Sequence, residues 1–112
     1  MKVTIDRTKW LRGKGSEESY LWILEADKGC CLGHAINQTN KIPLEDLNFI
    51  PAPAGLYNKI RKLKLYLEKE IHLMWVRNAM DINDKIIITE KEREEKLIEL
   101  FKDGGLELEF YN

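Results

Sequence analysis

The sequence is short of cysteine, of charge imbalance and of long apolar runs, and each shortage closes off a class of protein. Only two cysteines occur, Cys30 and Cys31, and they are adjacent. Neighbouring Cα atoms lie about 3.8 Å apart, below the usual disulfide span, so an internal bridge would be strained. Both read as reduced thiols in a reducing compartment. The longest apolar run, Tyr20 to Leu24, is far too short to cross a bilayer. The opening Met1 to Asp6 carries no signal-peptide h-region, which predicts a cytoplasmic protein without membrane association. Lys and Arg number 18 against 19 Asp and Glu, a net charge of −1. With no basic surplus, general nucleic-acid binding is not expected. No internal repeat or low-complexity tract is present.

What is present fits one α+β domain covering residues 1–112. Apolar residues make up 44% of the 112, which excludes wholesale disorder. A chain of this length buries about two-thirds of its unfolded surface, enough for a core without staples. Met1, Val3 and Ile5 alternate with Lys2, Thr4 and Asp6, the period of a half-buried strand. Tyr20-Leu21-Trp22-Ile23-Leu24 reads as a central strand, followed by turn chemistry in Asp27-Lys28-Gly29. Cys31 to Gln38 has helical spacing, and Pro43 can start a single turn over Leu44 to Leu47. Leu56, Ile60, Leu63, Leu67, Ile71 and Met74 form one helical stripe, although Leu63, Leu65 and Leu67 also fit a strand template. The absence of Gly and Pro favours helix, with a break near Glu70 and a continuation through Trp75, Val76, Ala79 and Met80.

The C-terminal region carries the clearest local signals. Thr89-Glu90-Lys91-Glu92 matches a capping box, Leu97, Leu100 and Phe101 form a buried stripe, and Gly104 or Gly105 supplies a left-handed cap. Leu106, Leu108 and Phe110 then alternate as a closing strand. The expected architecture is a small, mostly antiparallel sheet of about three strands, Val3–Asp6, Tyr20–Leu24 and Leu106–Tyr111. Three or so helices, after Cys31, Leu56 and Thr89, cover one face, and the terminal strands pair or lie close.

Two constellations carry chemistry. Arg7, Lys9, Arg12 and Lys14 surround Trp10 in a stretch with Gly13 and Gly15. Such a loop can cradle a phosphate or nucleotide-like anion through cationic forks and backbone amides, with Trp10 as a stacking platform. It can equally be a solvated loop tacked down by Trp10. Gly13-Lys14-Gly15-Ser16 lacks the Walker A spacing. Cys30 and Cys31, with His34 or His72 as the only imidazoles, are the candidates for a thiol nucleophile and its base. The competing reading is that both thiols fill a strand–helix junction. Zinc binding by Cys30, Cys31, His34 and His72 suits vicinal cysteines poorly, and Asn83-Asp84 falls far short of a calcium loop. No cofactor is expected. Charge separates along the chain: Lys59, Arg61, Lys62, Lys64 and Lys69 oppose Glu68 and Glu70, whereas residues 90–112 hold eight acids against four bases. That separation can serve self-association or a charged partner.

Three separated pieces, Arg7 to Gly13, Cys30-Cys31-Leu32-Gly33, and Ile82-Asn83-Asp84 with Glu92-Arg93-Glu94, stand in an order that resembles a group of small uncharacterised phage, prophage and bacterial proteins with W-x-R-G, C-C-L-G and I-N-D…E-R-E elements. The middle third, about Pro43 to Arg77, matches none of these elements. Lys85-Ile86-Ile87-Ile88 departs from the pattern, since a polar loop is expected before the capping box. The group has no assigned reaction, so the resemblance transfers no catalytic residue. It implies a setting: a phage-type accessory protein in the bacterial host cytoplasm, with a role such as countering host defence. The leading expectation is a non-enzymatic protein that binds a host protein or sequesters a small anionic, nucleotide-like ligand. The ligand surface would be Arg7 to Ser16 with Lys59 to Lys64, and homo-oligomers are an allowed state. The alternative is a cysteine-dependent enzyme using Cys30 or Cys31.

Overall fold

The computed structural model describes residues 1–12, 19–51 and 70–112. Strand β1 (Lys2–Asp6) opens the chain, followed by a 3-10 turn at Arg7–Lys9. Helix α1 spans Cys31–Asn40, a 3-10 turn covers Leu44–Leu47, and helices α2 (Glu70–Asp84) and α3 (Glu90–Asp103) lead to strand β2 (Glu107–Tyr111). Helices and strands share one core of buried residues that includes Val3, Ile5, Trp10, Leu21, Ile36, Trp75, Leu97 and Phe101.

The terminal strands pair, but in parallel, with Lys2 opposite Glu107 and Asp6 opposite Tyr111. Among the described residues the sheet has two strands, which corrects the expected antiparallel sheet of about three. The outer edge of β1 is closed by a side chain. Thr4 N–H donates to Gln38 Oε1 at 2.8 Å, and Gln38 Nε2 donates back to the Thr4 carbonyl at 2.7 Å. An amide on α1 thus stands where another strand would be.

Tyr20–Leu24 is not a strand. Leu21 and Trp22 are buried, as the apolar run demands. The chain turns at once, however: Ile23 and Lys28 exchange backbone hydrogen bonds across a turn in which Asp27 takes φ 53°. The remaining partners lie in irregular backbone, with Leu21 N–H donating to the Ile50 carbonyl and Phe49 N–H to the Trp22 carbonyl. Burial took Leu21 and Trp22 inward without requiring a ladder, while Leu24 at the end of the run is exposed.

Helix α1 runs two residues past Gln38 and ends on Lys41 in the left-handed region. Gly33 permits its approach to the Leu21 backbone, because a Cβ there would lie 1.6 Å from the Leu21 carbonyl oxygen. The Pro43-initiated turn is present. Of the expected Leu56–Met80 helix, residues 56–69 lie outside the described residues; α2 continues beyond Met80 to Asp84. On α3, Thr89 accepts from Glu92 N–H at 3.1 Å. At its other end Gly105 N–H donates to the Lys102 carbonyl and Leu106 N–H to the Phe101 carbonyl, at 2.9 and 2.8 Å. These are the two bonds of a Schellman motif, and Gly105 holds the required positive φ of 83°.

Candidate functional site

The chain segments that carried the motifs meet at Asn83, near the end of α2 and 1% exposed. Asn83 Oδ1 accepts from Trp10 Nε1 at 2.8 Å and from the Cys31 backbone N–H at 3.1 Å. Its Nδ2 donates to the Leu11 carbonyl at 3.0 Å and to Asp84 Oδ1 at 2.9 Å. A side-chain amide offers two donor hydrogens and two acceptor lone pairs, and these four bonds use them all. The bond from Cys31 has a further purpose. Cys30 provides no side-chain cap for α1, so an unpaired donor of the first helical turn is satisfied from a helix 52 residues away.

Arg93 does the converse for α2. It is 4% exposed on α3, and its Nη1 donates to the carbonyls of Ile82 and Asn83 at 2.8 Å each. Its Nη2 reaches the Lys85 carbonyl. Buried charge is costly unless paired or fully hydrogen-bonded; here the carbonyls at a helix C-terminus, negative in sense, take most of the donors. Glu90 completes the shell, 3.3 Å from Arg93 Nε.

Among the described residues, Arg7, Lys9 and Arg12 do not converge on one point. Arg7 forms a bidentate pair with Glu94, at 2.8 and 2.7 Å. Lys9 pairs with Asp27 at 3.1 Å, and Arg12 pairs with Glu90. Each partner carboxylate holds the Arg7 and Lys9 pKa above its ordinary value. Trp10 is buried, with Phe110 at 4.6 Å between ring centroids and the Arg12 guanidinium 4.3 Å over its ring. It is core, not an accessible stacking surface. Lys14 lies outside the described residues.

Cys30 and Cys31 are both buried. Burial pushes the Cys30 thiol up to about 11, despite backbone N–H groups of Gly33 and Leu32 that favour the thiolate. Burial, then the neighbouring Cys30, raises Cys31 well above the usual thiol range. A nucleophilic cysteine needs the opposite shift. His34 is also committed: its Nε2 donates to the Lys9 carbonyl at 2.9 Å, and its ring meets Trp22 edge-on at 4.9 Å. Burial lowers its pKa and keeps it neutral. The side chain of His72 lies outside the described residues. Among the described residues no group of three or more His, Cys, Asp or Glu is placed to hold a metal ion.

Sequence reasoning missed the roles of Asn83 and Arg93. The available signal was the four carbonyls that any helix leaves unpaired at its end, together with the unusual run Lys85-Ile86-Ile87-Ile88 that follows α2 directly. In the structure that run is a tight connection whose Ile86 and Ile87 are 61% and 81% exposed. No family model, curated protein or solved structure matches this chain.

Proposed function

We propose that the protein is a non-enzymatic accessory binding protein that engages another protein, in the phage-type host setting that its motif elements resemble. The observation that carries this reading is the Ile86-Ile87 tip between α2 and α3. Arg93 grips the carbonyls on either side of the α2 terminus, so the tip is held in place and not left to fold back. Two adjacent isoleucines are thereby displayed to solvent at 61% and 81%. Burying an isoleucine side chain contributes about 1.5–3 kcal/mol, a gain here left for a partner to collect. A preorganised apolar tip loses little conformational entropy on docking.

Sequestration of a small anion by Arg7, Lys9 and Arg12 has less support, because Glu94, Asp27 and Glu90 already occupy those cations. The test is affinity capture from bacterial lysate with the wild type, Arg12→Ala, and the double variant Ile86→Glu/Ile87→Glu. A host protein retained by the first two and lost by the third, at unchanged melting temperature, supports the proposal. Equal capture by the double variant removes the tip from it. A co-purified nucleotide that disappears only with Arg12→Ala reverses the choice in favour of ligand sequestration.

A further inference from the structure

Helices α2 and α3 run antiparallel, and their contacts fix the alignment. Trp75 Nε1 donates to the Leu100 carbonyl at 2.7 Å, and Arg93 Nη1 donates to the Ile82 carbonyl at 2.8 Å. A groove of about 310 Å³ lies along this pair. Its floor is apolar and two-sided, with Ile82 from α2 and Leu100 from α3, both half-buried against the core. Met74 stands one turn before the lining residue Asn78, on the same stripe of α2, and is 69% exposed. The charged walls, Asp81, Lys96, Glu99 and Asp103, are all exposed.

These charges sort by position. The alignment sets Lys96 at the level between Asn78 and Asp81, so Lys96 and Asp81, on facing walls, offset each other. Glu99 and Asp103 flank Leu100, at the level of Met74 and Trp75. Among the described residues neither forms a salt bridge. Lys102, between them in sequence, lines the other side of α3 with Ile98, and the exposed Arg77 is not part of the groove wall. Glu99 and Asp103 are also one turn apart at the end of α3. Like charges at that spacing repel, and the negative end of the helix dipole disfavours a carboxylate. Two acids thus stand where their own helix suits them least.

We infer that this groove seats an amphipathic helix of a partner protein. Its apolar stripe lies on Ile82, Leu100 and Met74, and two of its cations, one turn apart, stand beside Glu99 and Asp103. The part of the occupant over Asp81 and Lys96 is uncharged, since those two already balance. An extended segment finds no backbone groups to pair with here, because α2 and α3 bond within themselves. A helix brings its own bonds and packs into the furrow between two others. A second copy of this chain is a poor occupant: Glu90–Asp103 holds six acids against four bases, and one of those bases, Arg93, is buried. Its α3 would bring more negative charge to Glu99 and Asp103. The inference does not rest on the Ile86-Ile87 tip, which lies beyond the Asp84 end of α2, so the two proposals stand or fall separately.

The experiment titrates the full chain with three capped, alanine-based helical peptides and follows its methyl resonances. The first peptide carries a leucine stripe and two arginines one turn apart near one end. The second has glutamates in place of the arginines, and the third scatters the leucines of the first around the helix. The first shifts the Ile82 and Leu100 methyls and binds about tenfold more tightly than the second. Glu99→Gln/Asp103→Asn weakens the first peptide about tenfold and abolishes the preference, while the melting temperature holds or rises because a repulsion is gone. Ile86→Gln/Ile87→Gln binds the first peptide unchanged, which separates the groove from the tip. The proposal is overturned if the third peptide binds as tightly as the first, if the Glu99/Asp103 variant binds the first unchanged, if the shifts fall elsewhere, or if no binding is seen. It is likewise overturned if the Ile82 and Leu100 resonances move with protein concentration alone, since a second copy then fills the groove.

Discussion

Replacing Asn83 by leucine, which nearly preserves its volume, isolates the value of its four hydrogen bonds. The substitution strands the Trp10 indole N–H, the Cys31 backbone N–H and the Leu11 carbonyl, all partnered by Asn83 at 2.8–3.1 Å. A buried polar group left without its partner costs about 1–3 kcal/mol, so three cost roughly 3–9 kcal/mol. The added apolar burial returns about 1.5–3 kcal/mol. A net loss of about 2–6 kcal/mol is expected, a large part of the ~5–15 kcal/mol that stabilises a typical domain. Urea unfolding followed by tryptophan fluorescence measures it as a fall in midpoint at constant slope. Asn83→Asp sharpens the test. Its carboxylate keeps the two acceptor contacts but turns an oxygen toward the Leu11 carbonyl and toward Asp84, so burial and like charge raise its folded pKa. A group with a raised folded pKa contributes stability in acid and loses it as pH rises. The deficit of Asn83→Asp against wild type must therefore be smaller at pH 4 than at pH 8. A cost below about 1 kcal/mol for Asn83→Leu would refute the claim that this amide joins the three segments.

Four further outcomes are expected. Gly33→Ala forces a methyl against the Leu21 carbonyl oxygen, which a Cβ would approach to 1.6 Å; circular dichroism should show a melting temperature lower by at least ~10 °C, or no folded protein. Trp10→Phe should cost about 1–3 kcal/mol more than Trp22→Phe in chemical denaturation, since it removes a bond to Asn83 Oδ1 while Trp22 Nε1 has no partner to lose among the described residues. Neither Cys30 nor Cys31 should react with iodoacetamide at pH 7–8 in the native protein, whereas both should react in urea; rapid native labelling would revive a thiol chemistry. Burial lowers the His34 pKa from 6.5, so the unfolded chain takes up the proton first. Stability should hold above about pH 7 and fall with acidification at up to ~1.4 kcal/mol per pH unit, and His34→Gln, which keeps a donor for the Lys9 carbonyl, should flatten that part of the profile.

Elements written in local chemistry were legible, and those written in distant partnership were not. Thr89, the Leu97–Phe101 stripe and the glycine pair announce α3 because cap, burial and termination all lie within seventeen residues. The closing strand follows for the same reason. The direction of its pairing has no local trace, since parallel strands need a long crossover whose helices decide orientation. Tyr20–Leu24 shows an apolar run alone, and a run whose centre is buried is shared by strands and by turns wedged into a core. In the candidate site, Trp10 and the buried thiols were visible as residue types with two readings each, and the structure puts them in the core. Asn83 and Arg93 escaped because their work is to satisfy backbone groups of other segments, which composition and period do not encode.

The pairing of β1 with β2 also has a temporal consequence. Lys2 finds its partner at Glu107, so β1 must wait until the long stretch between the two strands has been made. At about 5–20 residues per second, that interval is on the order of 5–20 s during synthesis. Throughout it, Val3 and Ile5 have no ladder to join, and the Gln38 amide can protect only the Thr4 edge once α1 exists. Closing so long a loop is entropically late in any folding route. The sheet is then a late fastening, and until it forms the two strands remain open to chaperones and proteases.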